Sequence, residues 1–276
     1  MTITTVDPAE YLRELGQAGE GPHDIARAAL MLSALDHAGR QLEPYFEHLN
    51  DVAARARAEA NVSLSAQDGA RALSALLVGH YGYDGDRLSY DDPQNGDFMS
   101  VIDRRRGLPV ALGILYIHAA RAAGMEAGGL NSPGHFLLRI SLKGTEALID
   151  PFNGGSALDR ETLGGPPRMG APQPDDPRLA EPAGDIDVLL RLANNLKMRV
   201  QHAGERTRTL ELAKRMVLIA PLRPDLWLEL ARLNEQVGAL GAAHKAYEAC
   251  LSLAPRGAAL HNEAALAMHA LKRKLN

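Results

Sequence analysis

Six prolines, from Pro166 to Pro182, crowd between Gly164 and Gly184. Proline lacks an amide hydrogen and has a fixed φ, so neither a helix interior nor a central strand can run through such a stretch. The segment reads as a stiff, extended linker, and the chain must fold on either side of it. Residues 1–60 read as N-terminal helices, 61–165 as a mixed core, 166–184 as the linker and 185–276 as a wholly helical tail. The fold class expected is α+β, mainly helical, with one small antiparallel sheet.

Aromatic residues make up only 4% of the chain against 46% hydrophobic, so the core must be built from Ala, Leu, Val and Ile. An alanine-rich composition favours helix. The net charge of −4 lacks the basic footprint of a nucleic-acid binder, and no such partner is expected. The single cysteine, Cys250, excludes an intramolecular disulfide framework and a cysteine-based zinc site. Met1–Glu10 has neither a basic stretch nor an apolar one, so no secretory signal is expected there. The longest apolar run, Leu108–Ala123, contains His118 and Arg121 and falls short of the roughly 20 residues a membrane span needs. A cytoplasmic protein with no membrane partner is the expectation.

Asp7-Pro8 and Asp24 are expected helix starts, because Asp caps free amides and Pro fits a first turn. Helical spacing follows in Ile25–Leu35, in Tyr45–Ala56 and in Ala66–Tyr81. Between Gly82 and Gly107 stand Asp84, Asp86, Asp91, Asp92 and Asp97 among glycines, Pro93 and Asn95. The ligand spacing of a calcium loop is absent, so a solvated, turn-rich loop is expected. Arg104-Arg105-Arg106 reads as a solvated basic run, or with Arg106 bracing the loop. Pro109 then opens an apolar helix that Gly124 ends. The β region is His135–Leu142 and Ala147–Asp150, flanking a turn in Lys143-Gly144-Thr145-Glu146.

In the tail, Pro221 and Pro255 are 34 residues apart, the period of a tetratricopeptide repeat. Trp227, Leu230, Ala231, Ala243 and Tyr247 occupy its large and small positions, with Gly238 and Gly241 marking the turn between paired helices.

If Lys143-Gly144 is the turn, Leu142 faces Thr145 and Leu137 faces Asp150. His135 then shares their sheet face, diagonal to Asp150. A carboxylate orienting an imidazole prepares a general base. The plainer reading makes His135 a strand-start residue bonded to a loop and Asp150 a turn cap. Candidate binding residues around this corner are Asn95, Arg106, Gly107, Pro133, Gly134 and Asn153. A metal centre from His118, His135 and Asp150 is disfavoured, since His118 falls mid-helix, and no metal or other cofactor is expected.

Arg106-Gly107-Leu108-Pro109, Pro133-Gly134-His135-Phe136-Leu137-Leu138-Arg139 and Ile149-Asp150-Pro151-Phe152 together resemble the bacterial SirB-type family. That family couples a transglutaminase-like domain to C-terminal tetratricopeptide helices. The resemblance implies a papain-like core in which active relatives carry a cysteine nucleophile at the helix start, with His and Asp on successive strands. His135 and Asp150 match the last two positions. Pro109, Val110 and Ala111 stand where the cysteine would be, and none can attack a carbonyl. Cys250 falls at a packing position of the tail, while Ser100 and Ser132 read as turn and cap hydroxyls. A non-catalytic adaptor for a protein or peptide partner is therefore expected. The alternative is an acyl-transfer or hydrolytic enzyme working through His135 and Asp150.

Overall fold

Asp7 and Asp24 each accept a hydrogen bond from the first helical turn, from Ala9 N (3.0 Å) and Arg27 N (3.1 Å). They start α1 (Pro8–Ala18) and α2 (Ile25–Ala34) as expected. The computed structural model describes residues 7–60, 63–132, 135–158 and 182–275. The remaining helices before the sheet are α3 (Glu43–Ala60), α4 (Ala66–Ser74), α5 (Phe98–Arg104) and α6 (Pro109–Ala122). A six-residue π-helix, Ala75–His80, follows α4 directly.

Two small β elements frame α6. The pair β1 (Asp84–Gly85) and β2 (Arg106–Gly107) is parallel. The main sheet is antiparallel, with order β6-β5-β4-β3-β7. Its strands are β3 (Glu126–Ser132), β4 (His135–Leu142), β5 (Thr145–Asp150), β6 (Ser156–Leu158) and β7 (Pro182–Ala183). The β4–β5 turn is only two residues long. Lys143 and Gly144 both have positive φ (51° and 77°), the twist that lets two strands close without splaying. Thr145 and Glu146 therefore belong to β5, a correction to the four-residue turn expected. Part of the proline-rich linker also departs from expectation. Pro182–Ala183 pairs with β3, and an edge strand is where a sheet tolerates proline. The rest of that segment, 164–181, lies outside the described residues.

Helix α6 is apolar on every side, and its residues from Val110 to Ile117 are all buried, as a helix enclosed by its own domain should be. It crosses β4 at Gly113, where an added Cβ would lie 2.3 Å from the Phe136 ring. The absence of a side chain at this point is what lets helix and sheet approach. Phe136, Leu138 and Ile140 share one face of β4 and are buried, and Leu137 on the other face is buried too.

Packing divides the chain into two units: Glu20–Leu192, and α1 together with the chain from Ala193 onward. The boundary falls inside α7 (Asp185–His202). In the second unit α8 (Arg206–Ile219), α9 (Pro224–Gln236), α10 (Leu240–Leu253) and α11 (Ala259–Leu275) pack in succession, and α1 lies on α8. Leu230, Ala231, Ala243 and Tyr247 are buried. Gly238 sits in the α9–α10 turn with φ 77°, but Gly241 lies inside α10 rather than in the turn. No helix among the described residues is long and apolar enough to cross a membrane.

Candidate functional site

The start of α6 is built by its neighbours. Leu108 is extended (φ −70°, ψ 158°), its amide donates to Asn95 O (2.9 Å), and Pro109 takes the first helical position. Val110 and Ala111 are 1% and 0% exposed. The end of α6 that carries the positive pole of its dipole thus presents only aliphatic side chains. It offers nothing that can ionise or attack.

The β4–β5 ladder runs from Leu142↔Thr145 to Leu138↔Ile149. The ladder ends one residue short of Leu137 and Asp150, and Asp150 pairs with Ser156 on β6. His135 pairs by its backbone with Ser132 on β3. Asp150 is buried, and its oxygens accept from its own turn: Phe152 N (3.0 Å), Asn153 N (3.2 Å) and Asn153 Nδ2 (2.6 Å). This is the turn-capping geometry short acidic side chains favour. Asn153 is held on its other side, its Oδ1 accepting from Arg87 (3.1 Å). Arg87 also donates to Phe152 O (2.9 Å) and stacks over the Phe152 ring.

Beneath this turn lies Tyr116 of α6. Burial pushes its phenol above the usual range, so it stays protonated. Gly155, with φ 66°, passes so close that an added Cβ would lie 1.9 Å from the phenol oxygen. Gly155→Ala therefore combines a left-handed backbone with a collision, and should cost the Glu20–Leu192 unit about 2–4 kcal/mol. Faster hydrogen exchange at β5 and β6 amides would report it; unchanged exchange would show that the turn is not held against Tyr116.

The other candidates separate into distinct positions. Asn95 is fully buried, and its amide group is consumed internally, donating to Ser89 O (2.6 Å) and accepting from Arg104 (2.9 Å). It braces a loop and has no face for a ligand. Gly107 is buried in β2, packed against Val101. Arg106 is exposed and donates to Gly82 O and Arg105 O, bracing the loop. Pro133 and Gly134 lie outside the described residues, as do the side chains of Ser132 and His135. Ser100 lies in the first turn of α5, and its amide and hydroxyl both donate to Asp97, the residue that caps that helix. His118 is bonded to Leu49 O (2.9 Å). Cys250 is fully buried and belongs to the other unit; burial raises its thiol.

The acid-rich loop is exposed over Arg87–Asp91, as expected, but two of its acids are not solvated. Asp86 and Asp97 are both buried. The Ser89 amide and hydroxyl, then Arg104 and Asn95, hold the Asp86 carboxyl well down, at about 2. Asp97 accepts from Ser33, Ser100 and the His37 ring (2.8 Å). Ser33, Asp97 and His37 are the residue types of a hydrolytic triad, but the serine bonds the carboxylate and not the imidazole. His37 has no route to the Ser33 proton, and the cluster joins α2 to α5 instead. The legible local signal is Asp97 directly before Phe98-Met99, a short carboxylate at a helix start. The arginine run is likewise split: Arg104 turns inward to Asp86, Arg105 to His48 and Tyr83, and only Arg106 is exposed.

An α6 helix laid on an antiparallel sheet, with the β4–β5 hairpin inside that sheet running from His135 to Asp150, is the frame of a transglutaminase-like domain. The model of the transglutaminase-like superfamily matches residues 43–194, more than half of the chain, and the chain belongs to that superfamily. Among curated relatives, a UPF0162 protein of Xylella fastidiosa (strain Temecula1) is 34% identical over 178 residues, 61% of this chain and 63% of that protein. The chain thus spans somewhat less than two thirds of that relative. A UPF0162 protein of Xylella fastidiosa strain 9a5c is 32% identical over 189 residues, 67% of each chain. Human F-box only protein 21 is 32% identical over 82 residues, 30% of this chain and 13% of that protein.

Proposed function

We propose that this chain is a non-catalytic member of the superfamily, a regulatory adaptor that binds a protein or peptide partner in the cytoplasm. The observation that carries the reading is the apolar start of α6. A covalent acyl intermediate needs a thiol or hydroxyl there, and Pro109, Val110 and Ala111 supply neither. The Asp150 carboxylate, moreover, accepts hydrogen bonds from its own turn, from Phe152 and Asn153. The helical tail supports the second half of the reading. Its α9–α10 hairpin buries Leu230, Ala231, Ala243 and Tyr247, the small and large positions of a tetratricopeptide-like pair, and stacked pairs of that kind present extended docking surfaces. The SirB-type kinship read from the motif blocks belongs to the same proposal.

The test is turnover. The purified full chain is offered a glutamine peptide with a primary amine and, separately, an activated ester. The expected outcome is product formation no faster than without protein, identical for wild type and His135→Ala. Saturable turnover that disappears in His135→Ala overturns the proposal and establishes the alternative, in which His135 activates water and Asp150 orients the imidazole.

A further inference from the structure

Two unusual backbone features meet at a place the transglutaminase-like frame does not use. The π-helix Ala75–His80 ends at Tyr81, two residues before the buried Tyr83. π-helical turns are uncommon and concentrate at functional sites. Opposite, Arg105 has left-handed backbone (φ 58°, ψ 26°) at the end of α5, a position that normally belongs to glycine. Lys143 is the other described non-glycine residue with positive φ, and its hairpin explains it. Nothing in the turn after α5 asks for arginine, so the reason must lie in the side chain.

That side chain stacks over the Tyr83 ring, 4.7 Å from its centroid, and its Nη1 donates to the Tyr83 oxygen and to His48 Nε2 (2.8 Å). A guanidinium only donates, so His48 Nε2 accepts and its proton sits on Nδ1. Burial first, and then the Arg105 charge, pull His48 down to about 4, so the ring is neutral. Arg40, Arg104 and Arg121 each have a carboxylate partner. Arg105 has none among the described residues, and its Nε and Nη2 make no bond there. These two donors form the flat fork that matches two oxygens of one acceptor.

Arg105 lines a cleft of about 510 Å³ together with Gln41, Pro44, Tyr45, His48 and Ile102. Such a volume suits a small molecule. Asp103, the acid at its edge, is engaged by Arg40 (2.6 Å) and by the Tyr45 hydroxyl. The cleft therefore places one cation lacking a counter-ion in a mostly polar lining, with Pro44 as its exposed apolar residue. We propose that this cleft binds the oxyanion group of a small organic ligand, a carboxylate or a phosphate, on the Arg105 fork, with the ligand's body against Pro44. The inference is independent of the adaptor reading.

The full chain is titrated with inorganic phosphate and, separately, with benzoate at constant ionic strength, while the His48 ring resonance is followed by NMR. The expected result is a saturable shift with at least one anion, weakened tenfold or more by Arg105→Gln and unchanged by Arg55→Gln on the outer face of α3. Saturation with phosphate assigns a phosphoryl ligand, and saturation with benzoate a carboxylate. Should Arg105→Gln fail to fold, wild type answers alone: phenylglyoxal modification of Arg105 should slow at least fivefold under the saturating anion. Shifts that never saturate with either anion, together with an unaltered modification rate, overturn the proposal.

Discussion

Asp185→Ala should lower the stability of the Glu20–Leu192 unit by about 3 kcal/mol. Asp185 begins α7 and is 4% exposed, and its two oxygens receive Arg121 Nη1 (2.7 Å) and Nη2 (2.8 Å) side by side. The His23 amide donates to the same carboxylate (2.7 Å). Arg121 reaches on to Ala127 O (2.8 Å), so one ion pair ties α6, β3, α7 and the segment before α2. Removing the acid strands a partly buried guanidinium and an amide together, and leaving a group unpartnered costs more than the pair's own net gain. Asp185→Asn keeps the shape and some hydrogen bonding and should lose about half as much. Hydrogen exchange of β3 and α6 amides reads the change within this unit. A loss below about 1 kcal/mol would place the pair with ordinary surface bridges.

In the other unit Glu229→Ala should be comparably damaging, about 3 kcal/mol. Lys197 is 2% exposed, and its ammonium bonds both oxygens of Glu229 at 2.5 Å. Without Glu229 a full charge remains inside the helical array. Lys197→Met removes the charge itself and should cost markedly less, since an apolar chain of similar length fills the same space. The chain's one tryptophan makes this measurable: Trp227 donates to Pro221 O (2.8 Å) inside the same unit, so its fluorescence in urea follows that unit's unfolding. The midpoint should fall by about 2 M for Glu229→Ala. Equal shifts for the two variants would show that stranded charge is not the cause.

Local signals in the chain proved reliable where one or two residues decide the outcome. Asp7 and Asp24 start helices because a short carboxylate reaches amides two or three residues away, whatever surrounds it. Lys143-Gly144 sets the β4–β5 register because a two-residue turn admits one pairing, which runs from Leu142↔Thr145 to Leu138↔Ile149. The apolar run after Pro109 could only be an enclosed helix. Pro109, Val110 and Ala111 were as plain in the sequence as in the fold, since an aliphatic side chain has no chemistry to acquire from its surroundings.

The acid-rich loop and the arginine run went the other way. Asp86, Asp97, Arg104 and Arg105 look like surface residues in any window of sequence, because charge alone predicts solvent. Asp86 and Arg104 pair with each other within the loop, whereas Ser33, His37 and His48, the partners of Asp97 and Arg105, lie dozens of residues away and are brought in by the packing of α2 and α3. Left-handed backbone at Arg105 then turns three consecutive arginines toward three different environments. By itself the sequence determined the element types, the hairpin register and the aliphatic start of α6, which are matters of local sterics and side-chain chemistry. Only the tertiary structure decided which charges are buried and which are paired, because those depend on desolvation and on neighbours that chain order does not reveal.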